Sequence, residues 1–153
     1  MSEATVRASI KTLVESVPNI GLVYNREPLV NTWDQFLVFF KTTISGVDMI
    51  RGWTVSCEAI PAQGFVATGT RDTGNQYAYE YHIRGYQSFN YDTDTENVFL
   101  ALAIAVMSVL NGGIVGGTVF NADLAQLTSY TPRVFDGVLC HVAEITQLVK
   151  EQI

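Results

Sequence analysis

Charge and cysteine are both scarce in this sequence. Charged residues make up 16% of its 153 residues, against roughly 25% in an average domain. So apolar a chain is not a disordered or solvating one. The two cysteines, Cys57 and Cys140, are too few for a disulfide framework and lack zinc-type spacing. Two histidines and no dense carboxylate cluster argue against a transition-metal site. Basic residues are few as well. Nine Lys and Arg against fifteen Asp and Glu leave a net charge of −6, which speaks against a protein built to grip nucleic-acid phosphates. Met1-Ser2-Glu3-Ala4 has neither the charged nor the apolar region of a signal peptide, so a reduced, intracellular setting is expected. Val98 to Leu110 is apolar apart from Ser108, but it falls short of the roughly 20 residues that cross a bilayer. No basic residue between Arg84 and Arg133 anchors an end. A buried helix is expected there, and no membrane partner.

What is present is apolar surface. Hydrophobic residues are 48% of the chain. A chain of this length reads as a single domain over 1–153, able to bury roughly 68–70% of its unfolded surface. The surplus hints at burial against other chains.

Periodicity predicts the elements. Val6, Ile10, Leu13, Val14 and Val17 share one face of a helix over about 2–17, ended by Pro18-Asn19-Ile20-Gly21. A short strand over 22–26 follows. Asn31 or Thr32 can cap a second helix that carries Trp33, Phe36, Leu37 and Phe40 on one face. From Arg51 the period becomes two, with Trp53, Val55, Cys57 and Ala59 on one side of a strand. A second strand over 76–89 alternates Tyr77, Tyr79, Tyr81 and Ile83 with Ala78, Glu80, His82 and Arg84. Between them, 61–75 holds three glycines and no period, and reads as a long mobile arm joining two paired strands. Residues 94–110 predict a helix with Phe99, Leu102, Val106, Val109 and Leu110 inward, and the alanines at 101, 103 and 105 would let another element approach closely. Asp136-Gly137 suits a two-residue hairpin turn. Residues 138–149 also fit a helix, but the turn favours a strand. The expected fold is α+β, a mixed, largely antiparallel sheet with helices packed on one face.

The chemical motifs are weak. Cys140 and His141 are adjacent, so on a strand they point to opposite faces and cannot act as nucleophile and base. Glu80, His82 and Arg84 share a strand face as a candidate polar cluster, most simply a solvated one. Asp92, Asp94 and Glu96 lack the glycine and terminal glutamate of a calcium loop, and helix capping explains them better. The glycines at 112, 113, 116 and 117 follow a helix and precede no Lys-Ser/Thr pair, unlike a phosphate loop. No Gly-x-Ser-x-Gly elbow occurs. No catalytic residue, cofactor or metal ligand is assigned, and the chain is not expected to be an enzyme.

Taken in order, several segments carry a resemblance. They are Ser9-Ile10 through Val17-Pro18-Asn19-Ile20-Gly21-Leu22-Val23, Trp33-Asp34-Gln35-Phe36, Ile50-Arg51-Gly52-Trp53-Thr54-Val55, Ile83-Arg84-Gly85-Tyr86 and Phe135-Asp136-Gly137-Val138-Leu139-Cys140-His141-Val142-Ala143-Glu144. This set resembles small neck and tail-end proteins of tailed bacteriophages, above all tail terminators. It spans most of the chain apart from 61–75 and 112–122; each motif is weakly specific, and the order carries the weight. The resemblance implies a sheet flanked by helices and a homo-oligomeric, hexameric ring on the tail tube. It further implies a location in the virion, after synthesis in the host cytoplasm. The implied partners are the tail tube protein and a head–tail connector or head-completion protein, with DNA passing through the lumen. Trp33, Phe36, Phe65, Arg71 and Arg84 are candidate interface residues, chosen for expected exposure and not transferred from the family. The alternatives are a head-completion or other minor tail protein, and a small α+β enzyme or ligand-binding module using His82, Glu80 and Arg84.

Overall fold

A computed structural model of the chain describes residues 3–28, 32–59, 62–63, 76–89, 94–112, 120–135 and 138–152. Three long strands form its centre. They are β3 (Val47–Ala59), β5 (Gln76–Ser88) and β8 (Val138–Gln152), paired antiparallel in that order. Beyond β3 lie β1 (Leu22–Tyr24), parallel to it, and β2 (Lys41–Ile44), antiparallel. Beyond β8 lie β6 (Phe120–Ala122) and β7 (Gln126–Phe135), and β4 (Ala62–Gln63) pairs with the start of β5. The protein is therefore α+β with a mixed, largely antiparallel sheet. The stretch 138–149 is strand throughout, because β8 is flanked on both sides and needs its backbone groups for two ladders.

Strand alternation divides the sheet into two faces. Odd-numbered Trp53, Val55, Tyr81, Ile83, Ala143, Ile145 and Val149 meet α1 (Glu3–Glu15) and α3 (Thr95–Gly112) in the main core. α1 contributes Val6, Ile10 and Val14. α3 contributes Phe99, Ala103, Val106 and Leu110, while Leu102 and Val109 are only partly buried. The helix is thus rotated from the expected setting so that the small side chain of Ala103 enters the core. The two long helices share this face as expected, but the third does not, because its aromatic residues meet the even-numbered side of the strands.

The short helix α2 (Trp33–Phe40) covers part of the other face, where Phe36 and Phe40 pack with Ile50, Tyr86, Cys140 and Val142. Thr32 caps α2, its hydroxyl accepting from the Gln35 N–H. Gly52 makes this docking close: a Cβ there would overlap the Phe40 ring. The sequence reading missed the β2–β3 hairpin, although Ser45-Gly46 is its turn, with φ of 53° and 77° at the two residues. Both values are positive, as a two-residue type I′ turn requires. The expected arm at 61–75 lies outside the described residues except for β4, as does the Asp136-Gly137 turn.

Candidate functional site

The same alternation assembles a charged network on the α2 face of the sheet. Register places Arg84 opposite Thr54 on β3 and Glu144 on β8, and His82 opposite Ser56 and Thr146. Arg84 donates from Nε to Glu144 at 2.9 Å, pairs through Nη1 with Glu58, and reaches Glu27 at 3.6 Å. His82 is engaged at both ring nitrogens: Nδ1 lies 2.9 Å from Glu144, and Nε2 lies 2.8 Å from Glu80. Glu27 follows β1 and accepts from the Thr54 hydroxyl at 2.6 Å and the Tyr86 hydroxyl at 2.9 Å. Glu80, His82 and Arg84 do lie together, as the sequence suggested. Glu27, Glu58 and Glu144 were not anticipated, because their proximity depends on strand register.

Charges follow from these contacts. Burial acts to lower the His82 pKa, but hydrogen bonds to Glu80 and Glu144 and the nearby Glu58 outweigh it and raise the value. Burial acts to raise the Glu144 pKa, and Arg84 and His82 together pull it below the ordinary carboxylate range. Carboxylates only accept hydrogen bonds, so the two partners and the raised pKa both favour the imidazolium, which donates from both nitrogens. Neither nitrogen is then available as a base. The network ties β3, β5 and β8 to the segment that follows β1. An adjoining cavity of about 350 Å³ is lined by Glu27, Arg84, Tyr86, Ser129, Arg133, Val142 and Glu144.

Cys140 and His141 diverge, as strand geometry requires. Cys140 is buried beneath α2, and burial pushes its thiol up to about 11. His141 stacks on Phe89 with centroids 3.7 Å apart, meets the Thr95 hydroxyl at 3.0 Å, and has its pKa lowered by burial. Among the described residues no group of His, Cys, Asp or Glu is arranged to hold a metal ion.

The interface candidates fare unevenly. Phe36 is consumed in the core, because α2 turns its i and i+4 aromatic residues onto the sheet. Arg84 is committed to three carboxylates. Trp33 opens α2, while Phe65 and Arg71 lie outside the described residues. Among the described residues, the large apolar side chains that are exposed were not singled out as interface candidates: Val38, Val47, Val98, Ile104, Leu124 and Val134. Val98 and Ile104 stand on α3, which is long and apolar enough to cross a membrane by length and composition. Only four of its eighteen residues, Phe99, Ala103, Val106 and Leu110, are buried in the core. No protein-family model matches the chain, and no curated protein matches it significantly.

Proposed function

We propose that this chain is a structural protein of a bacteriophage virion, a tail terminator that assembles as a ring on the end of the tail tube. The observation that carries this reading is the outward face of α3. Val98 is 49% and Ile104 51% exposed, on a helix whose one charged residue is Glu96. Exposed Asn97, Ser108 and Asn111 accompany them, so the outward side is mixed, but two large apolar side chains held half open to water are available for another protein to cover. A side-to-side contact repeated around a closing rotation would cover them in every subunit. The ordered sequence motifs supply the station, since they resemble those of tail terminators.

The mechanism is competitive occupancy. One face of the ring takes the place of the next tube layer, and the other offers no seat for further tube subunits and receives the head. A net charge of −6 suits a ring through which DNA slides without adhering. A head-completion or neck protein is the second reading on the same motifs, and the position of the density in a virion map separates the two. Phage lacking the gene are expected to make tails of uncontrolled length or heads without tails. Tails of normal, uniform length on intact particles would refute the terminator role.

A further inference from the structure

At the end of the main core, between α3 and the turn after α1, Arg51 has no ion-pair partner among the described residues. Arg51 on β3 is 6% exposed. Its Nε donates to the Gln87 side-chain oxygen at 3.0 Å, and its Nη1 to the Asn19 carbonyl at 3.0 Å. Both acceptors are neutral, and no carboxylate pairs with it among the described residues. The turn that supplies Asn19 is pressed against it. Asn19 and Gly21 take φ of 59° and 87°, and a Cβ on Gly21 would strike the Arg51 carbonyl. Among the described residues the guanidinium is therefore held by one side-chain and one backbone oxygen, both neutral, and not by an ion pair. Burial draws its pKa below the ordinary value, as expected for a cation without a compensating anion.

This arginine lies where two cavities meet. One, of about 470 Å³, includes Met49, Gln87, Phe89, Thr95 and Val98 in its wall. The other, of about 370 Å³, runs along Val17, Pro18, Ala101, Leu102 and Ala105. Asn19, Arg51 and Val98 belong to both. Asp48 also lines the first cavity, but it is exposed, holds the Thr43 hydroxyl at 2.6 Å, and makes no ion pair with Arg51. Asp94 already caps the Asn97 N–H, so the helix end adds little attraction for an anion. The space is large enough for a small ligand, mostly apolar in the groove along α3 and mixed on the β3 side, and marked by one buried charge-assisted donor.

We propose that the Arg51 cavity is a binding site for a carboxylate carried on an apolar stem. A carboxylate would accept from the guanidinium, and its stem would lie against Val98, Ala101 and Leu102 in the groove. Two sources present that chemistry: a free aliphatic acid, and a Glu side chain flanked by apolar residues in another polypeptide. Hexanoate and the peptide acetyl-Leu-Glu-Leu-amide probe them separately, with hexanol as the uncharged control. The readouts are the Arg51 Nε–H and the methyl groups of Met49 and Val98, followed by NMR during titration of the purified chain.

Hexanoate is expected to shift all three saturably, with a dissociation constant on the order of 1 mM, and hexanol to bind at least about tenfold more weakly. Displacement of hexanoate by the peptide identifies the polypeptide source. Binding of hexanoate alone identifies the free acid. Arg51→Met removes the charge. Val98→Glu leaves Arg51 and its two hydrogen bonds in place while setting a competing carboxylate at the mouth, and should weaken hexanoate about tenfold or more in a folded protein. The inference is overturned if hexanoate and hexanol act alike, if neither probe binds, or if folded Val98→Glu binds hexanoate as tightly as the native chain.

Discussion

His82 and Glu144 titrate in opposite directions, and their neighbours set the sign of each. Glu58 from β3, Glu80 from β5 and Glu144 from β8 face the imidazole, with Arg84 as the one other cation. The raised His82 pKa means that its stabilising contribution is complete below the unfolded value of about 6.5 and fades as pH rises through the folded value. The lowered Glu144 pKa means the reverse: its contribution holds above the ordinary carboxylate value and is lost as pH falls through the folded one. His82→Gln should therefore cost about 1–2 kcal/mol near pH 6, a figure already reduced for the partly exposed carboxylates, and less near pH 9. Urea midpoints across that range check it, and a cost independent of pH would contradict the imidazolium assignment. Arg84→Met removes the cation shared by three carboxylates and should destabilise by about 1–3 kcal/mol at neutral pH, and by less once acid protonates Glu144 below the ordinary carboxylate range. The composition of this cluster was half legible. Glu80, His82 and Arg84 share a strand face by simple alternation. Glu27, Glu58 and Glu144 join them only through pairings across 24 to 62 residues of chain, which no local pattern encodes.

At the scale of elements, the docking of α2 rests on an absent side chain. Gly52 leaves room for the Phe40 ring, which also touches Tyr86 with centroids 5.0 Å apart. Gly52→Ala should cost about 1–3 kcal/mol by overpacking, and Phe40→Ala about 3–5 kcal/mol by leaving a cavity. The double variant should cost less than the sum, because the new methyl then enters the vacated space. Denaturant unfolding of the three variants measures the coupling, and strict additivity would show that α2 does not seat through this contact. The aromatic spacing at Trp33, Phe36, Leu37 and Phe40 foretold a helix with an inward stripe. It left open whether that stripe met this sheet or another subunit. Gly52 answered that question only once Ile50-Arg51-Gly52 was seen beneath the helix. The β2–β3 turn was overlooked for a related reason. Lys41-Thr42-Thr43-Ile44 has weak alternation, and its strand character comes from pairing with β3.

For the whole molecule, the decisive feature is an apolar helix that buries one face and exposes another. If α3 forms the lateral contact of a ring, Ile104→Glu should block association in light scattering while changing subunit stability by no more than about 0.5 kcal/mol. Unchanged association by this variant would move the contact to another surface, such as the one carrying exposed Leu124 and Val134 at β7. The amino-acid sequence by itself determined the fold class, the places of the three helices, the long central strands and the final hairpin. Those follow from periodicity, caps and turn residues, all of which act within a few positions along the chain. It also determined the scarcity of charge that makes an assembled state the natural reading. Only the tertiary structure decided which side of each element faces inward, that Arg84 is bound up in a network, and that Arg51 is buried against neutral acceptors. Register and burial are properties of distant segments meeting, so the same arginine reads alike in sequence whether it ends in water, in an ion pair or in an empty cavity.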